Sequence, residues 1–180
     1  NGKIYFAANG GAHGVELWES NGTAGGTIEF KDIKPGTSGI ASSSSPAYLT
    51  MVNAPGNILK LVFSANDGTN GTELWATDGT EAGTAMLKEI NEGAGSSDPR
   101  WFTLLSDGRL LFVADDGVQG AELWVTDGTA NGTQQITAIN QGAGSALSSS
   151  SDACFTHLGS QVLFTASDGT AGAQLWWTDG

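Results

Sequence analysis

The 180-residue sequence holds one cysteine, two histidines, four prolines and only seven Lys and Arg residues. A single cysteine, Cys154, excludes an intrachain disulfide framework, and its setting in DACFTHL reads as a buried, inert thiol. Seven cations against nineteen acids give a formal net charge of −12. That balance leaves no basic surface for the phosphates of nucleic acid or for anionic membranes. No apolar run approaches the length of a transmembrane helix. No segment shows a sustained helical period with caps. His13 and His157 stand in unrelated settings, and no nucleophile-elbow, zinc-protease, Walker or dinucleotide fingerprint occurs. The chain begins with Asn1 and stops at Gly180 within a motif, so it reads as a portion of something longer.

What is abundant is glycine, 27 residues, and it is arranged in a repeat. GVELWESNGTAGGT starts at Gly14, GTELWATDGTEAGT at Gly71, GAELWVTDGTANGT at Gly120 and a shortened GAQLWWTDG at Gly172. The tryptophans Trp18, Trp75, Trp124 and Trp176 follow Leu17, Leu74, Leu123 and Leu175, and lie 57, 49 and 52 residues apart. A phenylalanine near the end of an apolar run, Phe6, Phe63, Phe112 or Phe164, precedes each Trp by 12 residues. In the three complete copies a Gly-Thr follows, its threonine (Thr27, Thr84, Thr133) 9 residues after the Trp. Length variation falls in Ser/Gly-rich stretches such as GTSGIASSSS and GAGSALSSSS.

These spacings predict strands. Each unit holds an apolar Phe strand, a Gly-rich turn, the Glu-Leu-Trp strand, an Asp-Gly or Asn-Gly turn and a more polar strand opened by Gly-Thr. A further strand precedes the next Phe run, in PAYLTMV, RWFTLLS and ACFTHLG. KLVF and LLFV are apolar at consecutive positions, so both faces of those strands require burial. The fold class expected is all-β: β-propeller blades of four antiparallel strands, fourteen strands in total, with the first and last blades incomplete. One repeat domain spans 1–180, with blades at about 1–45, 46–97, 98–150 and a truncated 151–180. An open sandwich and a β-solenoid are the competing architectures.

The motif resembles the ELWxxDGT repeat family of large secreted or surface-associated bacterial proteins. Glu73-Leu74-Trp75 with Asp78-Gly79-Thr80, and Glu122-Leu123-Trp124 with Asp127-Gly128-Thr129, match it fully. The first copy has Ser20-Asn21 in place of Thr-Asp, and the last has Gln174 in place of Glu. The layout is also similar to TolB-type propellers. The resemblance implies an extracellular or cell-surface location and a propeller fold.

The repeated Glu16, Glu73 and Glu122 are read as structural, held by a backbone or hydroxyl neighbour. Asp78, Asp127 and Asp179 are read as capping their own turns. The Phe-strand hairpins offer a calcium candidate in two units. Asp115, Asp116 and Glu122 form one set, and Asn66, Asp67 and Glu73 the other, though each supplies few of the oxygens calcium takes. Otherwise no cofactor is expected. His157 could face a channel beside Asp152, while His13 is read as incidental. Asn21, Asn70 and Asn131 form sequons that the Asn-Gly turns already explain. The function expected is a non-catalytic scaffold with protein or glycan surface partners and self-association through the incomplete ends. The alternatives are a calcium-supported adhesion or carbohydrate-binding propeller and a propeller hydrolase or lyase.

Overall fold

A computed structural model describes residues 2–36, 42–147 and 155–180. Cys154 and Asp152 lie outside the described residues. The chain is all-β, with fourteen strands in four antiparallel sheets among the described residues. The first sheet comprises β1 (Ile4–Asn9), β2 (Val15–Ser20) and β3 (Thr27–Lys31). The second contains β4 (Ala47–Ala54), β5 (Ile58–Asn66), β6 (Thr72–Thr77) and β7 (Ala85–Lys88). The third contains β8 (Arg100–Leu104), β9 (Leu110–Asp115), β10 (Ala121–Thr126) and β11 (Gln134–Thr137). The fourth ends the chain with β12 (Thr156–Leu158), β13 (Gln161–Ala166) and β14 (Gln174–Thr178). Each sheet is a meander in chain order, as hairpin turns of this length dictate.

The 12-residue spacing has a direct structural meaning. Each Phe pairs across the hairpin with its Trp: Phe6 with Trp18, Phe63 with Trp75, Phe112 with Trp124 and Phe164 with Trp176. Because side chains alternate across a strand, the Phe and Trp share one face and the neighbouring Leu takes the other. Three apolar clusters show what those faces meet. Leu17 packs with Leu61, Phe63 and Trp75; Leu74 with Phe112 and Trp124; Leu123 with Phe164 and Trp176. The Leu face of each sheet is thus laid on the Phe/Trp face of the next.

This arrangement explains the consecutive apolar runs. Leu61 and Phe63 point into the first cluster while Val62 points into the second. Leu110 and Phe112 face backward while Leu111 and Val113 face forward. Both middle sheets are buried on both sides, so the period-2 polar alternation of a one-sided sheet disappears.

Bulges adjust the fit. In each complete Glu-Leu-Trp strand the register with the following strand shifts between Leu and Trp. The first strands carry a second bulge, at Ala47/Thr50 and at Arg100/Thr103. There Tyr48 and Trp101 adopt φ of 58° and 57°, unusual for aromatic residues. Each is thereby turned toward the next sheet, with Tyr48 5.5 Å from Phe102 between ring centroids and Trp101 packed on the last core cluster.

Candidate functional site

The repeated glutamates are the most deeply buried acids, with Glu16, Glu73 and Glu122 all 0–1% exposed. Each sits at the second position of its strand, facing the loop that leaves the sheet. Glu73 accepts hydrogen bonds from the Ile90 N–H at 2.7 Å, the Ser97 N–H at 3.0 Å and the Ser97 hydroxyl at 2.7 Å, with Asn91 N at 3.4 Å. Glu16 takes the Ile33 N–H at 2.9 Å, the Ser44 N–H at 2.8 Å and the Ser44 hydroxyl. Glu122 takes the Ile139 and Asn140 N–H groups at 2.9 and 3.2 Å, and the Ala146 N–H. Burial pushes all three carboxyls above the usual glutamate value, opposed by these donors.

One acid therefore ties three segments together: its own strand, the end of the outer strand and the entry to the following sheet. A serine one residue earlier adds a second tie. The hydroxyls of Ser43, Ser96 and Ser145 accept from the N–H of Val15, Thr72 and Ala121 at 2.8–3.0 Å. These serines lie in stretches that read as variable loops, and only the shared Gly-x-Gly-Ser of GAGSS and GAGSA hinted at them.

The third clamp lacks one bond, since Ala146 stands where Ser44 and Ser97 donate a hydroxyl. Ala146→Ser restores it in a site already shaped for serine. It should stabilise the chain by about 0.5–1.5 kcal/mol, the net worth of an added hydrogen bond. Urea denaturation measures it, and a destabilised variant would mean that the Glu122 site has closed around the methyl.

The Asp-Gly-Thr turn is a second repeated device. Asp78 Oδ1 accepts from the Thr80 N–H at 2.9 Å and its hydroxyl at 2.7 Å, while the Thr80 oxygen accepts from Gly83 N at 2.9 Å. Asp127, Thr129 and Gly132 repeat this at 2.8, 2.6 and 3.0 Å. Asn21, Thr23 and Gly26 do so with a neutral amide oxygen. The first copy's Ser20-Asn21 is thus the same turn in other letters, and Ser20 pairs with Thr27 as Thr77 does with Thr84 and Thr126 with Thr133, each at 2.7 Å. Gly128 has φ of +81°, and a Cβ at Gly132 would overlap the Asp127 carboxylate, which accounts for both glycines of the signature. Hydrogen bonds from Thr80 hold the Asp78 carboxyl below the ordinary aspartate value.

Cations complete the junctions. Four of the seven Lys and Arg residues reach from one sheet to a carbonyl of the next unit, and Arg100 reaches the segment that leads to the last sheet. Lys60 donates to Gly128 O at 3.0 Å and Arg109 to Gly180 O at 2.9 Å, both at the Asp-Gly turn. Lys31, Lys88 and Arg100 donate to the carbonyls of Glu81, Thr133 and Leu147.

The calcium sets are differently disposed. Asp67 Oδ1 accepts from the N–H groups of Thr69 and Asn70, and Asp116 Oδ1 from those of Val118 and Gln119, all at 2.7–2.8 or 2.9 Å. Asp115 and Asn66 accept from Gly117 and Gly68. Among the described residues these acids do not converge with Glu73 or Glu122 into a three-ligand group. The trio that does converge is His13, Glu29 and Asp32, with His13 Nδ1 2.8 Å from Glu29 and 3.9 Å from Asp32. In the third sheet the places of His13 and Glu29 are taken by Gln119 and Gln135, whose side chains hydrogen-bond at 2.9 Å. The second sheet departs from this, with Asn70 and Met86 at the same places.

The Glu29 bond raises the His13 pKa above 6.5. A raised basic pKa means that the folded chain holds the proton more tightly. The contribution is complete below pH 6.5 and is lost as pH rises through the raised value. A proton NMR titration should find His13 above 6.5, and Glu29→Gln should return it toward that value. His157, by contrast, is exposed on β12.

The tryptophans are packing residues with one polar atom each. Trp176 Nε1 donates to the Ala166 carbonyl at 3.1 Å, whereas Nε1 of Trp18, Trp75 and Trp124 is buried without a partner among the described residues. Between the first two sheets a cleft of about 240 Å³ is lined by Lys3, Tyr5, Leu61 and Asp78. There Lys3 bonds Glu19 at 2.6 Å and leaves open the place that Lys60 and Arg109 fill at the later junctions.

No family model matches the chain, and comparison with curated proteins gives no match. Among solved structures, the chain is similar over 98% of its length to a puromycin hydrolase S511A mutant complexed with PGG, at 15% identity and a TM-score of 0.51. It spans a quarter of that chain. The tricorn protease is similar at 18% identity and TM-score 0.43, over 99% of this chain and 16% of that one. An α-L-arabinofuranosidase from Clostridium thermocellum follows at 11% and 0.41, over 100% and 66%. The likeness is one of fold.

Proposed function

We propose that the chain is a non-catalytic, extracellular or cell-surface repeat module of the ELWxxDGT kind, its sheets acting as blades of a β-propeller. It serves as a scaffold for protein or glycan partners met by loops and sheet edges, and for copies of itself. The observation that carries this reading is the use of the repeated polar side chains. In the complete copies the glutamate, aspartate and threonine of the signature, and the serines that meet the glutamates, bind backbone or one another and so serve the sheets themselves. The propeller arrangement is supported by sheets that stack face to face in chain order and by contact of β4 with both β1 and β8, which draws the sheets together along one edge.

A panel of chromogenic peptide, ester and arylglycoside substrates tests the non-catalytic part. No turnover above background is expected, and turnover that disappears in His157→Ala would overturn it. Melting with calcium and with chelator separates the calcium-supported alternative, which requires a rise with the ion and a fall without it.

A further inference from the structure

A position repeated from sheet to sheet serves the sheets, whereas a departure confined to one unit is free to serve something else. Three departures coincide in the first unit. His13 stands where the next two units have Asn70 and Gln119, Glu29 where they have Met86 and Gln135, and Asp32 where they have Glu89 and Ala138. The three come from different elements: the turn between β1 and β2, strand β3, and the residue just beyond it. Folding nevertheless brings one ligating atom of each within 4.8 Å of the others, and among the described residues no other trio of His, Cys, Asp or Glu does so. Gly10 leaves room for the group. A Cβ there would lie 2.6 Å from the Trp18 ring and 3.4 Å from Glu29 Oε2, and the next two units carry Asp67 and Asp116 at that place.

The cluster is short of positive charge. Asp32 Oδ1 is buried and has no hydrogen-bond partner among the described residues, a costly state for a carboxylate oxygen. Neither Glu29 nor Asp32 pairs with a lysine or arginine among those residues, and Lys31 is turned away to the Glu81 carbonyl. The buried Glu16 carboxylate acts electrostatically on both His13 and Asp32 and deepens the negative field.

We propose that His13, Glu29 and Asp32 form a binding site for a divalent transition-metal ion of the zinc class. Two ligand atoms about 2.1 Å from a tetrahedral ion stand about 3.4 Å apart. His13 Nδ1 lies 2.8 Å from Glu29 and 3.9 Å from Asp32, so a shift of about half an ångström at each contact turns them into ligands. An imidazole with two carboxylates suits zinc and leaves a fourth position for water, whereas calcium takes about six to eight oxygens. The three side chains are 24–39% exposed, which gives the ion a way in. The site does not depend on the scaffold reading and shares no residue with the hairpin acids of the second and third sheets.

Calorimetric titration of the whole chain with zinc chloride tests it. One ion should bind per chain, with a Kd below about 100 μM. His13→Gln, Glu29→Gln and Asp32→Ala together install side chains that the third sheet already accommodates at these places, so circular dichroism should not change. Zinc affinity should fall by about a hundredfold, since even an outer partner of a ligand is worth about 10–100-fold. His13→Gln alone should weaken binding in the same direction. Cys154→Ser with His157→Ala removes the chain's other thiol and imidazole and should bind as wild type. Cobalt(II) should give visible absorption bands that zinc abolishes and excess calcium leaves in place. Weaker binding by the wild type, undiminished binding by the triple or the His13 variant, loss of binding in the Cys154/His157 variant, or displacement by calcium would each overturn the proposal.

Discussion

Glu73→Ala is expected to destabilise the chain by about 3–5 kcal/mol, the range for stripping a buried group from its hydrogen-bonded partners. The carboxylate is fully buried and receives the Ile90 N–H, the Ser97 N–H and the Ser97 hydroxyl, with Asn91 at longer range. Alanine leaves these donors facing a void that the surrounding sheets cannot fill. Glu73→Gln keeps the volume but points an N–H₂ group at donors whichever way the amide turns, at a cost of about 2–3 kcal/mol. Urea denaturation reads both. Since Ser97 leads into β8, the loop of residues 91–98 should also become the first site of proteolytic cleavage. If Glu73 served a metal instead, Glu73→Gln would leave the metal-free chain as stable as wild type and abolish stabilisation by calcium.

Phe112→Ala should cost a comparable 3–5 kcal/mol, by loss of packing instead of hydrogen bonds. Phe112 is 0% exposed, lies 5.7 Å from Phe102 and 6.5 Å from Trp124 between ring centroids, and faces Leu74 of the preceding sheet. Truncation empties the middle of the junction between the second and third sheets. In a chain whose sheets pack in succession, that junction couples the two halves. Thermal unfolding should therefore move down by about 10 °C and broaden toward two steps. Phe112→Leu, which preserves most of the volume, should recover most of the loss. A single sharp transition within 2 °C of wild type, with as the scale, would show that the junction does not hold the stack together.

The two predictions differ in what made them visible. Phe112 could be singled out from its 12-residue spacing to Trp124 and from an apolar run too long for a one-sided strand. The structure adds that the pair share a face and that the face meets Leu74. Glu73 was legible as a repeated position, but its partners were not. Ile90 and Ser97 are 17 and 24 residues away, and the serines sit in stretches whose lengths vary and whose composition resembles filler. A carboxylate bound to backbone N–H groups leaves no signature in its partners' side chains, because every residue except proline carries the donor. The acids of the Phe hairpins likewise have backbone partners that their residue types do not announce. Asp67 and Asp116 each aim an oxygen at the amides of their own turns, an arrangement that residue type alone does not specify.

The sequence alone determined the all-β class, the unit length, the four meanders and the three-stranded first and last sheets, because these follow from local spacing and turn chemistry. Strand alternation and Asp-Gly geometry act over a few residues and are written in order along the chain. Only the tertiary structure decided which face meets which, where each cation reaches, and that Ser44, Ser97 and Ala146 are partners of buried acids. Those contacts join units about 50 residues apart through backbone groups that any residue could supply, so they exist only once the sheets are stacked.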